Sequence, residues 1–288
     1  MKIAISGSNG LIASYLIEAL RKNNHQVIPI DRTLLLPSNA DSLRHTLESC
    51  DAVINLAGAT INQRWNARNK KLIYDSRIES TRALVLAINS LKQKPNVFIS
   101  TSAVGAYPID AISDENDTRY GENFLAQVCK DWETEARNIS SKVRLVIPRF
   151  GVVLASDGGA FPQMCIPFRL FLGGKIATGL QGLSWIHIDD LVNGLLLTLN
   201  NEKVEGIVNF TSPQITDNAL FTSALSKITN RPAWFTIPKF ILHLILGDQA
   251  QLLTEGQKIM PKKLIDLGFH FQYPTLDLAI QKLLSTRK

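Results

Sequence analysis

Cysteine, like-charge runs and long apolar stretches are all scarce in this sequence, and each shortage removes a class of protein. Cys50, Cys129 and Cys165 are odd in number and far apart, with no C-x-x-C pair and no histidines at metal-ligand spacing. That excludes a disulfide framework and leaves no expected metal site; buried thiols in a reducing compartment fit instead. The most apolar late stretch, Phe240 to Leu246, is far too short to cross a bilayer, and nothing resembling a signal peptide precedes Ile3. The expectations are a cytoplasmic protein with no membrane partner. The 31 basic residues outnumber the 25 acidic ones, for a net charge of +6, but they are spread along the chain. Without a localised basic patch, no nucleic-acid partner is expected. A mild positive balance is still compatible with anionic small ligands such as a dinucleotide.

What is present begins at the first residues. Ile3-Ala-Ile-Ser6 is an apolar run that breaks into Gly7-Ser8-Asn9-Gly10 and then into the helical pattern starting Leu11-Ile12-Ala13. This is a strand, a tight turn and a helix. Gly7 supplies the turn, Gly10 lets the backbone approach a pyrophosphate, and small Ala13 lets the helix pack on the strand. Amide N–H groups at the helix start then face the anion. The spacing G-x-x-G-x-x-A departs from G-x-G-x-x-G, so its context carries the assignment.

A second strand, His25 to Ile30, ends at Asp31-Arg32, where a dinucleotide fold reads the adenosine ribose. Asp31 suits the two ribose hydroxyls of NAD, whereas Arg32 suits the 2′-phosphate of NADP. The expected cofactor is NADP, with NAD left open.

Residues 41 to 49 form a polar helix, and Asp51 to Leu56 is a buried strand closing in the small turn Leu56-Ala57-Gly58, on the pyrophosphate side. A long polar segment from Arg64 leads into a helical stripe at Leu84, Ile88 and Leu91. Pro95 to Ser102 is another strand, which sets Ser100, Thr101 and Ser102 at the ligand edge. Residues 121 to 137 are helical, with Phe124, Val128 and Trp132 on a core stripe. Val143 to Val153 reads as a strand interrupted by Pro148 and Gly151. Pro162 to Gly174 reads as a helix closed by glycines. Asp189 or Asp190 is expected to cap the helix after His187, a residue expected to be structural. Helices are also read at Lys263 to Leu267 and Thr275 to Leu284.

The regular alternation of strand and helix predicts an α/β fold, a Rossmann-type doubly wound parallel sheet with a smaller C-terminal α+β lobe. The expected division is a dinucleotide-binding domain over 1–160, with 181–212 returning to it, and a mixed lobe over 161–288.

Several motifs together resemble one family. They are Asn55-Leu-Ala-Gly58, Arg64-Trp65, Ser76-Arg77, Ser102-Ala-Val-Gly105, Val128-Cys-Lys-Asp-Trp-Glu133, Gly158-Gly159, Pro167-Phe-Arg169, Gly173-Gly174, Trp185-Ile-His-Ile-Asp-Asp190 and Glu255-Gly-Gln257 before Pro261. The chain resembles the atypical short-chain dehydrogenase/reductase group known as epimerase family proteins, which carry a small C-terminal DUF1731 domain, here 235–285. The resemblance covers nearly the whole chain. It implies an extended short-chain reductase fold with the C-terminal lobe over the nicotinamide end, NADP as cofactor, and Arg77 approaching that cofactor. Ala13 replaces the family's usual glycine, and Asp31 replaces a hydroxyl residue, which keeps NAD open.

Typical short-chain reductases use a Ser, a Tyr-x-x-x-Lys pair and an Asn. The resemblance puts Ser102 at the Ser position, Lys130 at the Lys position and Arg77 near the Asn position. The Tyr position falls on Ala126, so the phenol is missing. Tyr107 or Tyr120 could deliver one from a loop, although packing roles are the expectation for both. The expected function is therefore NADP-dependent hydride chemistry by an epimerase- or reductase-like enzyme on an unknown carbonyl or nucleotide-sugar-like small molecule, as a monomer or homodimer. General acid–base help is typically worth about 10² to 10⁴ in rate, so the alternative is a catalytically weak dinucleotide-binding protein with a regulatory or redox-sensing role.

Overall fold

A computed structural model describes residues 1–109 and 111–286, so the last two positions of the expected lobe, 287 and 288, lie outside the described residues. In chain order the first half runs β1 (Lys2–Ser6), α1 (Leu11–Lys22), β2 (Gln26–Ile30), α2 (Ala40–Leu47), β3 (Ala52–Asn55), α3 (Ala67–Ser90), β4 (Val97–Ser100), β5 (Ser102–Ala103), β6 (Ile112–Ser113), α4 (Phe124–Arg137), β7 (Arg144–Phe150) and β8 (Val152–Leu154). The second half runs α5 (Ala160–Met164), α6 (Ile166–Arg169), β9 (Gly174–Ile176), β10 (Trp185–His187), α7 (Ile188–Asn200), β11 (Gly206–Phe210), α8 (Asn218–Thr229), β12 (Phe235–Ile237), α9 (Lys239–Leu246), α10 (Gln251–Thr254), β13 (Lys258–Ile259), α11 (Lys262–Asp266) and α12 (Leu276–Ser285).

The main sheet has the order β11-β7-β4-β3-β1-β2, with β5 also pairing β7. All of its pairings are parallel. Adjacent residues alternate between its faces, as strand geometry requires. Ile3, Ile5, Ile54, Ile99 and Val146 pack under α1 and α7. Ala4, Val53, Phe98 and Ile147 pack against Leu43 and Leu47 of α2 and Leu84 and Ile88 of α3. This is the doubly wound arrangement expected from the alternation. The direction of strand addition reverses at β1, flanked by β2 and β3, which opens a crevice at the carboxyl ends of these strands.

Three elements differ from the sequence reading. Helix α3 begins at Ala67, far ahead of its apolar stripe, because the Asn66 side chain caps it by accepting from the Asn69 amide. Strand β7 runs through Pro148, which falls at the step where its partner changes from β4 to β5. Pairing resumes in β8 only after Gly151. The stretch 162–174 is two short helices leading into β9, with Gly174 pressed so close to β12 that an added Cβ would lie 2.0 Å from the Phe235 carbonyl oxygen. That glycine serves strand pairing rather than ending a helix.

The lobe has its own apolar centre, where Phe161, Phe168, Phe221, Leu225, Ile280 and Leu283 join Trp185. Two-stranded ribbons β9–β12 and β6–β13 complete it. No helix among the described residues is long and apolar enough to cross a membrane, and no cluster of potential ligands for a metal ion occurs among them.

Candidate functional site

Register defines the site. Ser6 lies opposite Ile30 on one side and Asn55 on the other, and Asn55 lies opposite Ser100. The segments that leave this row, namely Gly7 to Gly10, Asp31-Arg32, Leu56 to Gly58 and Thr101-Ser102, therefore line one edge of the sheet. Gly7 has φ +70°, and an added Cβ would lie 2.7 Å from the carbonyl carbon and oxygen of Leu56. Only glycine satisfies both the left-handed backbone and that approach. Its carbonyl accepts from the Gly10 amide at 2.9 Å.

Helix α1 then starts at Gly10 with no side-chain cap and no acidic residue in its first turn. Its first amides are left for an outside acceptor, at the end of the helix where an anion is favoured. Ala13 is buried against the sheet. Beside this turn, Asp31 and Arg32 are exposed, and Arg32 makes no ion pair among the described residues. Across it, Gly158 and Gly159 fold onto the Leu11 side chain. Tyr15 fastens that loop by donating to Asp157 at 2.8 Å; burial and then the Asp157 carboxylate push its phenol up to about 12.

Beneath the edge lies a row of buried hydrogen bonds. Asn55 Oδ1 accepts from Ser6 Oγ at 2.6 Å and from the Ala57 amide at 3.2 Å. Asn55 Nδ2 donates to Thr81 Oγ1 at 2.8 Å and reaches Ser100 Oγ at 3.5 Å. Thr101 Oγ1 donates to the Asn55 carbonyl. The hydroxyls of Ser100 and Thr101 are thus turned inward and fix the turn at 56–58. Arg77 lies against that turn from the other side. Its Nη1 donates to the carbonyls of Ala59 and Ile73, and a Cβ on Gly58 would sit 3.1 Å from its Cζ. Burial lowers the guanidinium's proton affinity, and the ring of Trp132 lies 5.3 Å away.

The corner below β5 holds an arrangement absent from the sequence reading. Glu133 is buried in α4 and accepts from four side chains, Arg149, Ser102, Tyr120 and Arg137, the last reaching Oε2 through Nη2 at 3.1 Å. Arg149 Nε reaches Oε1 at 2.8 Å and Nη2 reaches Oε2 at 2.9 Å. Ser102 Oγ donates to Oε1 at 2.7 Å, and Tyr120 donates to Oε2 at 2.6 Å. Burial pushes the carboxyl up, but Arg149 more than offsets it, and Glu133 ends below the usual carboxylate range. Tyr107 is buried with Arg149 4.3 Å over its ring, and its hydroxyl donates to Asn209 Oδ1 at 3.0 Å. Burial raises that phenol to about 12.

Lys130 is exposed on the outer side of α4, whereas Cys129 and Glu133, one turn apart, are buried. The helix therefore turns position 129, not 130, inward toward Ser102, and burial raises the Cys129 thiol to about 11. Counting Tyr-x-x-x-Lys spacing back from 129 gives Leu125, so the phenol is missing in this register as well as in the one through Ala126. His187 caps α7 itself by accepting from the Asp189 amide at 3.2 Å, while Asp190 accepts the amides of Gln272 and Tyr273. That corrects the expected Asp cap. Burial lowers the imidazole to about 4.

The sequence pattern of the NAD dependent epimerase/dehydratase family matches residues 3–210, and a domain of unknown function, DUF1731, matches 237–283. The chain belongs to the NAD dependent epimerase/dehydratase family. An epimerase family protein of Staphylococcus saprophyticus is 36% identical over 291 residues, covering 97% of this chain and 98% of its own. The epimerase family protein YfhF of Bacillus subtilis is 33% identical, covering 100% of this chain and 99% of its own. The crystal structure of human epimerase family protein SDR39U1 with NADPH superposes with a TM-score of 0.90 at 32% identity, covering 99% of each chain. The expected membership of the epimerase group with a C-terminal DUF1731 domain is borne out.

The residues that sequence reasoning missed in this family member left a signal. Glu133 stands in the helical stripe with buried Cys129, Trp132 and Ala136, and Arg149 stands within the largely apolar stretch of β7, between Leu145 and Phe150. Opposite charges in two otherwise buried elements point to each other.

Proposed function

We propose that this chain binds NADP(H) and acts as an epimerase- or reductase-like enzyme at a carbonyl or carbinol carbon of a small, nucleotide-sugar-like molecule, with NAD as the lesser cofactor. The carrying observation is the uncapped start of α1 beside the pressed Gly7 turn, with Arg32 unpaired at the neighbouring strand end. These features fit the pyrophosphate and 2′-phosphate of a dinucleotide. The amides of Ser8, Asn9, Leu11 and Ile12 would hold its pyrophosphate, with Gly10, whose own amide bonds the Gly7 carbonyl, letting the backbone approach it; Arg32 would hold its 2′-phosphate and Asp31 its ribose. Leu56, Ala57, Gly58 and Arg77 would flank it, with the Ser100-Thr101 backbone at the far end. A bound dinucleotide supplies or accepts the hydride.

Ser102 is the chain's own participant. Its proton points to Glu133, so the lone pairs of Oγ are left to accept. In the oxidising direction, Ser102 Oγ takes the carbinol proton and passes its own to Glu133 Oε1. Arg149 holds Glu133 in place and keeps it ionised before the transfer, so that Oε1 is free to take that proton. Lys130, facing solvent, and Tyr107, bonded to Asn209, take no part. The unit is a monomer or homodimer in the cytoplasm, a reducing compartment that suits three buried thiols.

Purified protein should quench on titration with NADPH, and it should change absorbance at the nicotinamide band with a panel of carbonyl and carbinol compounds including nucleotide sugars. Tight NADPH binding without turnover on any of them would move the balance to the second reading, a dinucleotide-binding regulatory or redox-sensing protein. That reading draws on Leu125 and Cys129 standing where a phenol and an amine would otherwise be. It requires that affinity for a partner differ between NADP and NADPH.

A further inference from the structure

The lobe carries an apolar surface that neither the dinucleotide edge nor the Ser102 corner uses. Helix α9, Lys239-Phe-Ile-Leu-His-Leu-Ile-Leu246, is apolar on nearly every side, yet none of its residues is buried. Phe240 is 71% exposed and Leu244, one turn on, 84%. A helix apolar all round normally lies in a core or in lipid. Strand β12 leads into α9, and Trp234 just before it is 85% exposed. Beside β12, its partner β9 follows Phe171 and Leu172, also exposed. Phe171 holds φ 60°, a backbone state that is costly for an aromatic residue, and the Arg231 guanidinium lies 4.2 Å over its ring. The two segments therefore form one face.

Its charge decides among occupants. Residues 166–180 and 231–246 contain Arg169, Lys175, Arg231 and Lys239 and no Asp or Glu. A second copy would bring four cations against the same four, with nothing to neutralise them. An anionic partner with an apolar interior meets both requirements, and exposed Trp, Phe and Leu flanked by Lys and Arg form the composition that settles at a lipid headgroup boundary.

We propose that the face formed by α9, Trp234 and Phe171-Leu172 docks reversibly on an anionic lipid bilayer, lying in its interface without crossing it. This revises the expectation of no membrane partner, and it holds whether or not the protein turns over substrate. The other three tryptophans, Trp65, Trp132 and Trp185, are buried, so Trp234 is the natural reporter.

The test adds the full chain to vesicles of phosphatidylglycerol mixed with phosphatidylcholine, and to vesicles of phosphatidylcholine alone. The expected result is co-sedimentation and a blue shift of Trp emission with the anionic vesicles only, both reduced by high salt. Replacing Trp234→Phe should abolish the shift. The pair Phe240→Ser and Leu244→Ser, both at exposed positions, should lower vesicle affinity roughly tenfold or more while leaving the melting temperature unchanged. Lys239→Glu with Lys175→Glu should weaken binding and flatten its salt dependence. Failure to bind anionic vesicles overturns the proposal, as does binding that the serine pair leaves intact. So does a concentration-dependent dimer, seen by sedimentation, that the serine pair dissolves in the absence of lipid.

Discussion

Glu133 and Arg149 face each other across the α4–β7 boundary in a two-point contact of 2.8 and 2.9 Å, and neither side chain reaches solvent. Two buried charges are stable together because each lone pair and donor on the facing sides is used. Removing Glu133 leaves Arg149 charged, buried and without its carboxylate, a loss of about 3–5 kcal/mol, whereas Glu133 without Arg149 would still hold Arg137 at 3.1 Å. Glu133→Ala is therefore expected to lower the unfolding free energy by that much, read as a lower urea midpoint at an unchanged slope, more than a typical surface change. The double variant Glu133→Gln with Arg149→Met should recover a large part of it. A single variant that unfolds at the wild-type midpoint would mean that the pair contributes nothing.

At the ribose end, Arg32 is exposed and makes no ion pair among the described residues, while Asp31 beside it carries the opposite charge. Arg32→Ala should weaken NADPH roughly tenfold and NADH little, since solvent and salt screen an exposed contact well below its in-vacuo strength. Asp31→Ala should reverse the preference. Calorimetric titration with both cofactors measures this directly, and equal losses for both in each variant would contradict the assigned ribose contacts.

The sequence made the frame readable because the frame rests on short-range rules. The Gly7 turn, the small Ala13 and the alternation of Ile3, Ala4 and Ile5 each state their own burial, and strand–helix alternation leaves few topologies. The corner at Ser102 was harder. Whether Lys130 or Cys129 faces inward depends on the rotation of α4, set by where Trp132 and Ala136 pack, and a one-residue change turns the helix by about 100°. The Ser102 contact with Glu133 joins residues 31 apart and follows from that rotation alone. The start of α3 was hidden because its first turns are polar on both sides and only the Asn66 cap marks them.

His187 gives the fold an acid-sensitive point. Its Nδ1 accepts the Asp189 amide and its Nε2 is buried without a hydrogen-bond partner among the described residues, so the ring is held neutral. With burial lowering the folded imidazole from 6.5 to about 4, the unfolded chain binds the proton first. Stability is then complete above the unfolded value and falls as pH drops from 6.5 toward 4, by on the order of 3 kcal/mol. His187→Asn keeps an acceptor for the cap and should flatten this part of the pH–stability curve in chemical denaturation. An unchanged slope would assign the acid sensitivity elsewhere.

Cys129 should be inert although it stands one turn from Glu133. A thiol raised to about 11 by burial is ionised to about one part in a thousand at pH 8, and the thiolate is the reactive form. Native protein should therefore resist a disulfide reagent at all three cysteines, which are buried, and react fully once unfolded. Rapid labelling of Cys129 in the folded state would instead support a thiol-based redox role.

Ser102 separates an enzyme from a mere binder. Its hydroxyl gives its hydrogen to an anionic carboxylate at 2.7 Å, a bond of the kind worth about 1.5–3 kcal/mol, so turning that proton toward a substrate oxygen works against the structure. Accepting a proton does not, because the Oγ lone pairs remain and Glu133 takes the displaced hydrogen. Carbinol oxidation should thus depend on Ser102 more steeply than cofactor binding does. Ser102→Ala is expected to lower kcat about 10²-fold with the NADPH Kd unchanged, because the pyrophosphate and 2′-phosphate are held by the α1 amides and Arg32, while the Ser102 hydroxyl bonds Glu133. The pH profile provides the second readout. With Glu133 held below the usual carboxylate range by Arg149, kcat should stay level from neutral pH down into mild acid, where a route through a phenol and an amine would already be falling. A Ser102→Ala variant with full kcat would remove the proton route through Glu133 and leave the buried carboxylate as a structural group alone.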